Sequence, residues 1–255
     1  MLKDLIIAIC FLTTIPIYTK PAYDDIFPNT SRSGIWYPFV GLIIGVMLVL
    51  LDWILQQLFS PFLEAILLVA FWTWLTGALH WDGLSDCYDA LLASVPSERR
   101  LEILKDPRLG SYGVMGLVLH LLIKIATVIS LTRISSLAGI GHVNFSYALL
   151  FAPVVARWLI LTIALQPKAK NTGMGASFSN EFQIKYVFIA GTLPLLMTIL
   201  GGWQAVIALV LAIIATVGIA IIARKRLGGI TGDVFGLTVE VCEGIILLVY
   251  ALKIW

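Results

Sequence analysis

Residues 36–59 read WYPFVGLIIGVMLVLLDWILQQLF, and Asp52 is the single charged side chain among them. A helix needs about 20 consecutive apolar residues to cross a bilayer, so this run predicts a membrane-spanning helix. Similar runs follow, and 60% of the chain is hydrophobic whereas 13% is charged; a soluble domain has roughly a quarter of its residues charged. The predicted spans are Trp36–Phe59, Pro61–Leu79, Val114–Leu131, Phe145–Leu165, Lys185–Gly201, Trp203–Ala223 and Phe235–Leu252.

These segments predict an all-α, polytopic membrane helix bundle with about seven transmembrane helices, built as a single domain over residues 1–255. The apolar run from Leu5 to Ile17 is short and contains Pro16, which predicts an N-terminal interfacial or half-inserted helix rather than a cleaved signal. Pro61 and the glycines at 201 and 202 predict tight turns between neighbouring helices. The lipid bilayer is the expected partner, and no nucleic acid is expected.

Basic residues concentrate in alternate connections between the predicted spans, while the opposite connections carry little beyond Arg133 and Lys253. Because loops rich in Lys and Arg stay cytoplasmic, the chain is predicted to lie in the cytoplasmic (inner) membrane with its acidic and glycine-rich motifs facing the cytoplasm. The basic residues on that side are Lys20 and Arg32, then Arg99, Arg100, Lys105 and Arg108, then Lys168, Lys170 and Lys185, and finally Arg224, Lys225 and Arg226.

Three aspartates, Asp82, Asp86 and Asp89, directly follow the second predicted span. In a helix, positions i, i+4 and i+7 share one face, and acids at membrane depth usually mark a functional site. All-oxygen ligation suits a hard divalent ion, so the spacing predicts a Mg²⁺ site and phosphate chemistry at a membrane surface. The alternative is a solvated helix face outside the bilayer. Gly83 is expected to let a ligand phosphate approach the backbone, and His80 is expected at the membrane interface on the opposite face.

A second group of polar residues lies in the loop DPRLGSYG, residues 106–113. Arg108 offers a planar fork for phosphate, and Gly110 and Gly113 present bare backbone N–H groups. This pattern is compatible with an anion-binding loop, but on these residues alone an ordinary connection is the favoured interpretation.

A third group runs from the loop GGITGD, residues 228–233, into the last predicted span. Its glycines at 228, 229 and 232, with Thr231 and Asp233, are typical of a flexible loop that a ligand approaches closely, but the ending of a P-loop is missing. Glu240 and Glu243 lie inside the apolar span and need partners. Arg157 is the expected one, so the two glutamates either form a structural ion pair or contact the ligand.

These motifs, taken in order, resemble the cobalamin synthase family, whose members are adenosylcobinamide-GDP ribazoletransferases, also called cobalamin 5′-phosphate synthases. The resemblance extends over nearly the whole chain. It rests on HWDGLSDCYD at residues 80–89, DPRLGSYG at 106–113 and GGITGD at 228–233 with Glu240 and Glu243, and on FLTTIP at 11–16, RSG at 32–34 and GMG at 173–175. Two departures are Ala90, where many members have glycine, and Lys168 and Lys170, where arginine is common.

The resemblance implies a magnesium-dependent transferase at the end of cobalamin biosynthesis. A hydroxyl of α-ribazole or of its 5′-phosphate attacks adenosylcobinamide-GDP, and GMP leaves. Asp82, Asp86 and Asp89 are the implied metal ligands and catalytic residues, with Asp89 the expected proton acceptor. The implied substrate-binding residues are Arg108, Gly110, Gly228, Gly229, Thr231, Gly232, Asp233, Glu240 and Glu243. Association with further copies of the chain or with other cobalamin-assembly enzymes is left open.

Two other functions are kept as alternatives. A CDP-alcohol phosphotransferase also carries spaced aspartates at a membrane surface, but the Ala-Arg pair and the two later aspartates of that pattern are missing here. A cation-coupled transporter would use intramembrane charges such as Lys124 and Arg157, yet the acids at 82–89 fall at the end of a span and no inverted repeat is visible. A structural membrane subunit would leave the acids unused.

Overall fold

The computed structural model describes residues 2–17, 31–138, 141–169 and 182–252. Within them the chain is all-α, as predicted, and the one β-type contact described is an isolated bridge between Lys168 and Ile230. The helices are α1 (Leu2–Leu12), α2 (Tyr37–Leu58), α3 (Pro61–Leu75), α4 (Leu79–Leu92), α5 (Ser97–Ile103), α6 (Ser111–Ala138), α7 (Gly141–Ala164), α8 (Ile184–Leu200), α9 (Gly202–Leu227) and α10 (Gly232–Tyr250), with a 3-10 turn at Ser31–Trp36 before α2.

In the part of the chain that the structure describes, four helical segments are long and apolar enough to cross a membrane: Ser31–Leu58, Ser111–Thr132, Phe145–Ala164 and Gly202–Leu227. A fifth crossing results if α3 and α4 form one broken span, since they pass the same test together but meet at 91°. These helices are consistent with a multi-pass membrane protein. The predicted count of seven is not confirmed, because α8 has only 17 residues and α10 carries three acids.

Helix α7 lies at the centre of the bundle, with 78% of its apolar window buried. Its packing against α2 is close because two glycines stand at the crossing. A Cβ on Gly41 would lie 2.5 Å from the Pro153 carbonyl oxygen, and one on Gly45 would lie 2.7 Å from the Leu150 Cα. The small residues of α2 therefore let its backbone touch the central helix, as is common in membrane bundles.

The break between α3 and α4 fixes the position of the aspartates. Gly77 and Ala78 have φ angles of 62° and 55°, a left-handed conformation that ends the first helix. The Thr14 N–H donates to the Leu75 carbonyl at 2.8 Å, so the segment after α1 contacts the end of α3. The predicted span Pro61–Leu79 is thus wrong at its end: the helix stops at Leu75, and α4 starts in a new direction.

Helix α4 then crosses the start of α10 at very short range. A Cβ on Gly83 would lie 2.7 Å from the Asp233 carbonyl oxygen, and one on Gly236 would lie 2.9 Å from the His80 carbonyl oxygen. The two glycines therefore allow backbone-to-backbone contact between the helices. This contact brings the acidic face of α4 beside the N-terminus of α10.

Candidate functional site

Four carboxylates share one electrostatic environment at the α4–α10 crossing. The charge of Asp86 interacts with those of Asp82, Asp89 and Asp233, and Asp233 in turn interacts with Asp82. Asp82 is exposed and the other three are half-buried. The helix over 79–92 confirms the predicted helical placement of the three α4 aspartates. Asp233, which the sequence assigned to substrate binding, joins them from another helix.

Asp89 differs from its neighbours because its two carboxylate oxygens already accept hydrogen bonds. Gly110 N–H donates to Oδ2 and Gly113 N–H donates to Oδ1, both at 2.8 Å. A Cβ on either glycine would fall within 2.4 Å of the same carboxylate. The N-terminus of α6 therefore binds the side chain of Asp89, which is a favourable place for an anion. The backbone N–H of Gly110, which was predicted to bind an anion, thus binds a carboxylate of the chain itself.

The type of donor at this site fits a hard divalent cation. Magnesium prefers carboxylate oxygens, and each oxygen of Asp89 keeps a lone pair beyond its one N–H bond. The mutual repulsion of the carboxylates would also be relieved by a positive ion. Among the described residues, no three His, Cys, Asp or Glu side chains are spaced to hold a metal ion. The residues fit Mg²⁺ by chemistry and charge, and a metal role for Asp82, Asp86 and Asp89 stays a prediction.

A cavity of about 170 Å³ adjoins the carboxylates and is lined by residues of α1, α2, α4, α7 and α10. Its wall is mostly apolar and includes three aromatic residues, and the charged or titratable residues Asp82, Asp233 and His80 also line it. The aromatic residues are Phe11, Tyr37 and Phe235, and the aliphatic ones include Leu12, Leu79 and Ile160. The site thus combines an acidic region with an apolar recess.

His80 is a part of the site that the sequence analysis missed. It was expected at the membrane interface, yet it is only 4% exposed and lines the same cavity as Asp82. That expectation is wrong because α10 packs over this part of α4. Gly83 likewise serves the helix crossing in the structure, and its predicted contact with a phosphate stays a prediction.

Arg108 forms a fork-shaped pair with Asp106 on the surface. Its Nε donates to Oδ1 at 2.9 Å and its Nη2 to Oδ2 at 2.7 Å. Hydrogen bonds from Arg108 lower the pKa of the Asp106 carboxyl to about 2. The guanidinium is therefore held near the α6 N-terminus in the geometry that suits a phosphate, but with a carboxylate as its present partner.

The glycine-rich loop between α9 and α10 divides into two parts. Gly228, with φ of 79°, ends α9, and a Cβ on Gly229 would lie 2.3 Å from the Lys168 carbonyl carbon, so these two glycines form the turn and the contact with the α7–α8 connection. Thr231 Oγ1 donates to Asp233 Oδ2 at 3.1 Å. Gly232 and Asp233 line the cavity, so this second part of the loop belongs to the site.

Glu240 and Glu243 belong to a buried ion-pair network among α6, α7 and α10. Lys124 Nζ donates to Glu240 at 2.9 Å and to Glu243 at 2.8 Å, and Arg157 Nη1 pairs with Glu243. Two positive and two negative side chains thus compensate each other while being no more than 2% exposed. The Arg157–Glu243 pair is confirmed, whereas Lys124 was not foreseen as a partner. Contact of the two glutamates with substrate stays a prediction.

His120 extends this network. Its Nε2 lies 3.0 Å from Glu240 Oε2, and its ring packs edge-on against Trp81 at 5.1 Å between centroids. Lys124 Nζ also lies 4.2 Å from the Trp72 ring centroid. The network therefore reaches α4 next to His80 and Asp82.

Three of the connections predicted to be cytoplasmic meet at one end of the bundle. Arg100 Nη1 donates to the Ala90 and Leu91 carbonyls at 2.6 and 3.0 Å, and Arg226 Nη1 also donates to the Leu91 carbonyl. The Ala169 N–H donates to the Ile230 carbonyl at 3.0 Å. These contacts support one composite site. Lys20, Lys170, Lys253 and the Gly-Met-Gly stretch at 173–175 lie outside the described residues.

Comparisons with known proteins agree with this picture. The family model described as cobalamin-5-phosphate synthase matches residues 4–251. Proteins named adenosylcobinamide-GDP ribazoletransferase are similar to the chain: that of Brevibacillus brevis is 34% identical over 97% of both chains, that of Acinetobacter baumannii is 34% identical over 97% of this chain and 96% of its own, and that of Clostridioides difficile is 31% identical over 100% and 97%.

No solved structure matches the chain. The transferase names of these relatives favour an enzyme over the transporter and the structural subunit considered from the sequence. Because the family model covers nearly all residues and the relatives exceed 30% identity over almost their full length, the chain belongs to the cobalamin-5-phosphate synthase family.

Proposed function

We propose that this chain is a Mg²⁺-dependent transferase that joins α-ribazole, or α-ribazole 5′-phosphate, to adenosylcobinamide-GDP. The acceptor hydroxyl forms a bond to the cobinamide-side phosphorus, the pyrophosphate P–O bond breaks, and GMP leaves with the bridging oxygen. The observation that carries the proposal is the set of four interacting carboxylates at the edge of an apolar cavity, in a member of this family.

Asp82, Asp86, Asp89 and Asp233 would hold the magnesium. The bound ion would supply charge neutralisation on the transferring phosphoryl group, which is the main requirement of such reactions. Among the described residues, the Asp82 and Asp86 carboxylates accept no hydrogen bond, whereas both oxygens of Asp89 do. We therefore assign proton acceptance from the attacking hydroxyl to Asp82 or Asp86, and assign to Asp89 the additional role of holding the Gly110–Gly113 turn.

The remaining predicted residues are assigned by their position. Arg108 would release Asp106 and bind a phosphate of the nucleotide in its place, because a carboxylate and a phosphate each present a pair of oxygens to the guanidinium. Thr231, Gly232 and Asp233 would contact the pyrophosphate side of the substrate at the cavity. Gly228 and Gly229 would shape this loop. Glu240 and Glu243 would act by positioning α4 through the buried network. The site would face the cytoplasm from the inner membrane, where the basic connections lie.

Replacing Asp86 by Asn tests the proposal. The substitution preserves shape but removes a negative charge, so GMP release by detergent-purified protein should fall by at least about 100-fold, in keeping with the loss of one main electrostatic group. The matched control is Glu102→Gln, because Glu102 is exposed and pairs only locally with Arg99; it should retain full activity. Near-normal turnover of Asp86→Asn, or full turnover of the unmodified chain without any divalent ion, would contradict the assignment.

A further inference from the structure

The cavity beside the carboxylates has the size of a small aromatic group. At about 170 Å³ it is slightly larger than an engineered cavity of about 150 Å³ that binds benzene. A corrin macrocycle is many times larger and is excluded from it. Of the two substrates in the proposed reaction, only the base of the acceptor or one of the two purines of the donor, guanine and the adenine of its adenosyl group, matches this volume.

The lining distinguishes the acceptor base from the purines. A purine such as guanine carries several hydrogen-bonding groups along its edge, and burying them without partners is costly. The cavity is mostly apolar, with Phe11, Tyr37 and Phe235 in its wall, and its two carboxylates, Asp82 and Asp233, are the proposed metal ligands rather than partners for a base. The base of ribazole is a methylated benzimidazole, a flat apolar bicycle with one free ring nitrogen. Such a base suits aromatic walls and needs one hydrogen-bonding partner.

His80 supplies a suitable partner. Its Nε2 is buried and has no hydrogen-bond partner among the described residues, and the residue, which is only 4% exposed, is one of those that line the cavity. Buried polar atoms in native proteins are almost always hydrogen-bonded, so an unpaired ring nitrogen on a residue that lines a cavity points to a ligand. A neutral imidazole can donate from Nε2 to the free nitrogen of the benzimidazole.

We propose that this cavity binds the benzimidazole base of the ribazole acceptor, with His80 as its hydrogen-bonding partner. The inference rests on the proposed transferase function. Because Asp82 and Asp233 belong to the cavity wall, a base seated there carries its ribose to the carboxylates. The acceptor hydroxyl then lies next to the groups that take its proton. His80 and the aromatic wall are thus binding residues of the acceptor site.

Filling the cavity tests this inference. Ile160→Phe adds a ring to a residue of the wall, and Ile214→Phe adds the same ring to an exposed position of α9 that does not line the cavity. With purified full-length protein, Ile160→Phe should raise KM for ribazole by ten-fold or more, on the order of what a pocket loses when a group no longer fits. KM for adenosylcobinamide-GDP should stay unchanged, and Ile214→Phe should change neither KM.

A second pair of variants tests His80 and keeps the inference testable if Ile160→Phe does not fold. His80→Phe removes the polar atom and should raise the ribazole KM, whereas His80→Gln restores a side-chain N–H and should recover most of the loss. Equilibrium dialysis of the purified chain with ribazole alone provides a readout that needs no turnover; ribazole should bind, guanosine should not displace it, and Ile160→Phe should weaken it.

The outcomes separate the inference from the function on which it rests. If the unmodified chain makes no product, the transferase proposal is overturned. The dialysis experiment then decides whether the cavity binds ribazole. Normal turnover with an unchanged ribazole KM in Ile160→Phe and His80→Phe overturns the cavity assignment alone. A rise in KM for adenosylcobinamide-GDP instead of ribazole, or displacement by guanosine, assigns the cavity to the other substrate and overturns the inference as well.

Discussion

Replacing Gly83 by alanine would place a methyl carbon 2.7 Å from the Asp233 carbonyl oxygen and 3.2 Å from the Gly236 Cα. Ordinary van der Waals contact begins at 3.4 Å, so α4 and α10 must separate by about 0.7 Å. The three nearest atoms, from Asp233 and Gly236, are all backbone atoms that cannot rotate away. Overpacking of this kind costs about 1–3 kcal/mol, partly offset by the gain of about 0.5–1 kcal/mol for alanine over glycine in a helix. The protein should therefore still fold.

Activity should suffer more than stability, because the displaced segment carries Asp233 and the displacing helix carries Asp82 and Asp86. A misplacement of about 1 Å in a catalytic arrangement can cost about 100-fold, so Gly83→Ala should lower kcat by about 10- to 100-fold. GMP release and thermal stability are measured on the same detergent-purified sample. Gly218→Ala is the matched control, since a Cβ there meets nothing within 4 Å, and it should keep full activity. Full activity and unchanged stability of Gly83→Ala would refute the close contact between α4 and α10.

Two further substitutions test the supports of the site. Glu243→Gln should lower stability by about 3–5 kcal/mol, because it leaves the buried Arg157 uncompensated; a thermal unfolding midpoint close to that of the unmodified protein would show that the pair is not formed. Gly110→Ala places a Cβ 2.4 Å from Asp89 Oδ1 and should break the bond from the Gly110 N–H, lowering kcat by about 10-fold or more. Unchanged kcat would mean that the contact between Asp89 and this turn is not needed for the reaction.

Hydropathy predicted most of the fold because each apolar segment fell on a helix. The runs beginning at Trp36 and Trp203 correspond to α2 and α9. The break at Gly77 and Ala78 was not predicted, because the residues on both sides are apolar and hydropathy does not report a change in the direction of a helix. Its left-handed backbone accompanies a contact from the segment after α1, a tertiary interaction that local sequence cannot reveal.

The acidic face of the site was predictable because helical spacing relates Asp82, Asp86 and Asp89 directly. The contribution of His80 was not, since a helical wheel assigns faces to solvent or lipid and cannot know that a second helix covers one of them. Lys124 was missed for a related reason. A charge in a long apolar helix has several candidate partners, and only the packing of α6 against α10 selects Glu240 and Glu243.

The Asp89 interaction shows that a loop with the sequence pattern of an anion-binding site can bind a carboxylate of the same chain. Glycines beside an arginine indicated a loop for an external anion, and the N–H groups of Gly110 and Gly113 do bind an anion. The anion is a side chain from 21 and 24 residues earlier in the chain. Local sequence identifies the donor groups, but the identity of the acceptor depends on how α4 is held against α6.

The guanidinium groups of Arg100 and Arg226 converge on the last carbonyls of α4, although one arrives from α5 and the other from α9. Positive charge at a helix C-terminus interacts favourably with the negative end of the helix dipole, and the guanidinium groups occupy carbonyls that lack an intrahelical donor. The same two arginines belong to the basic connections from which the cytoplasmic orientation is predicted. A charge swap intended to invert the polypeptide would therefore also release the end of the helix that carries the aspartates.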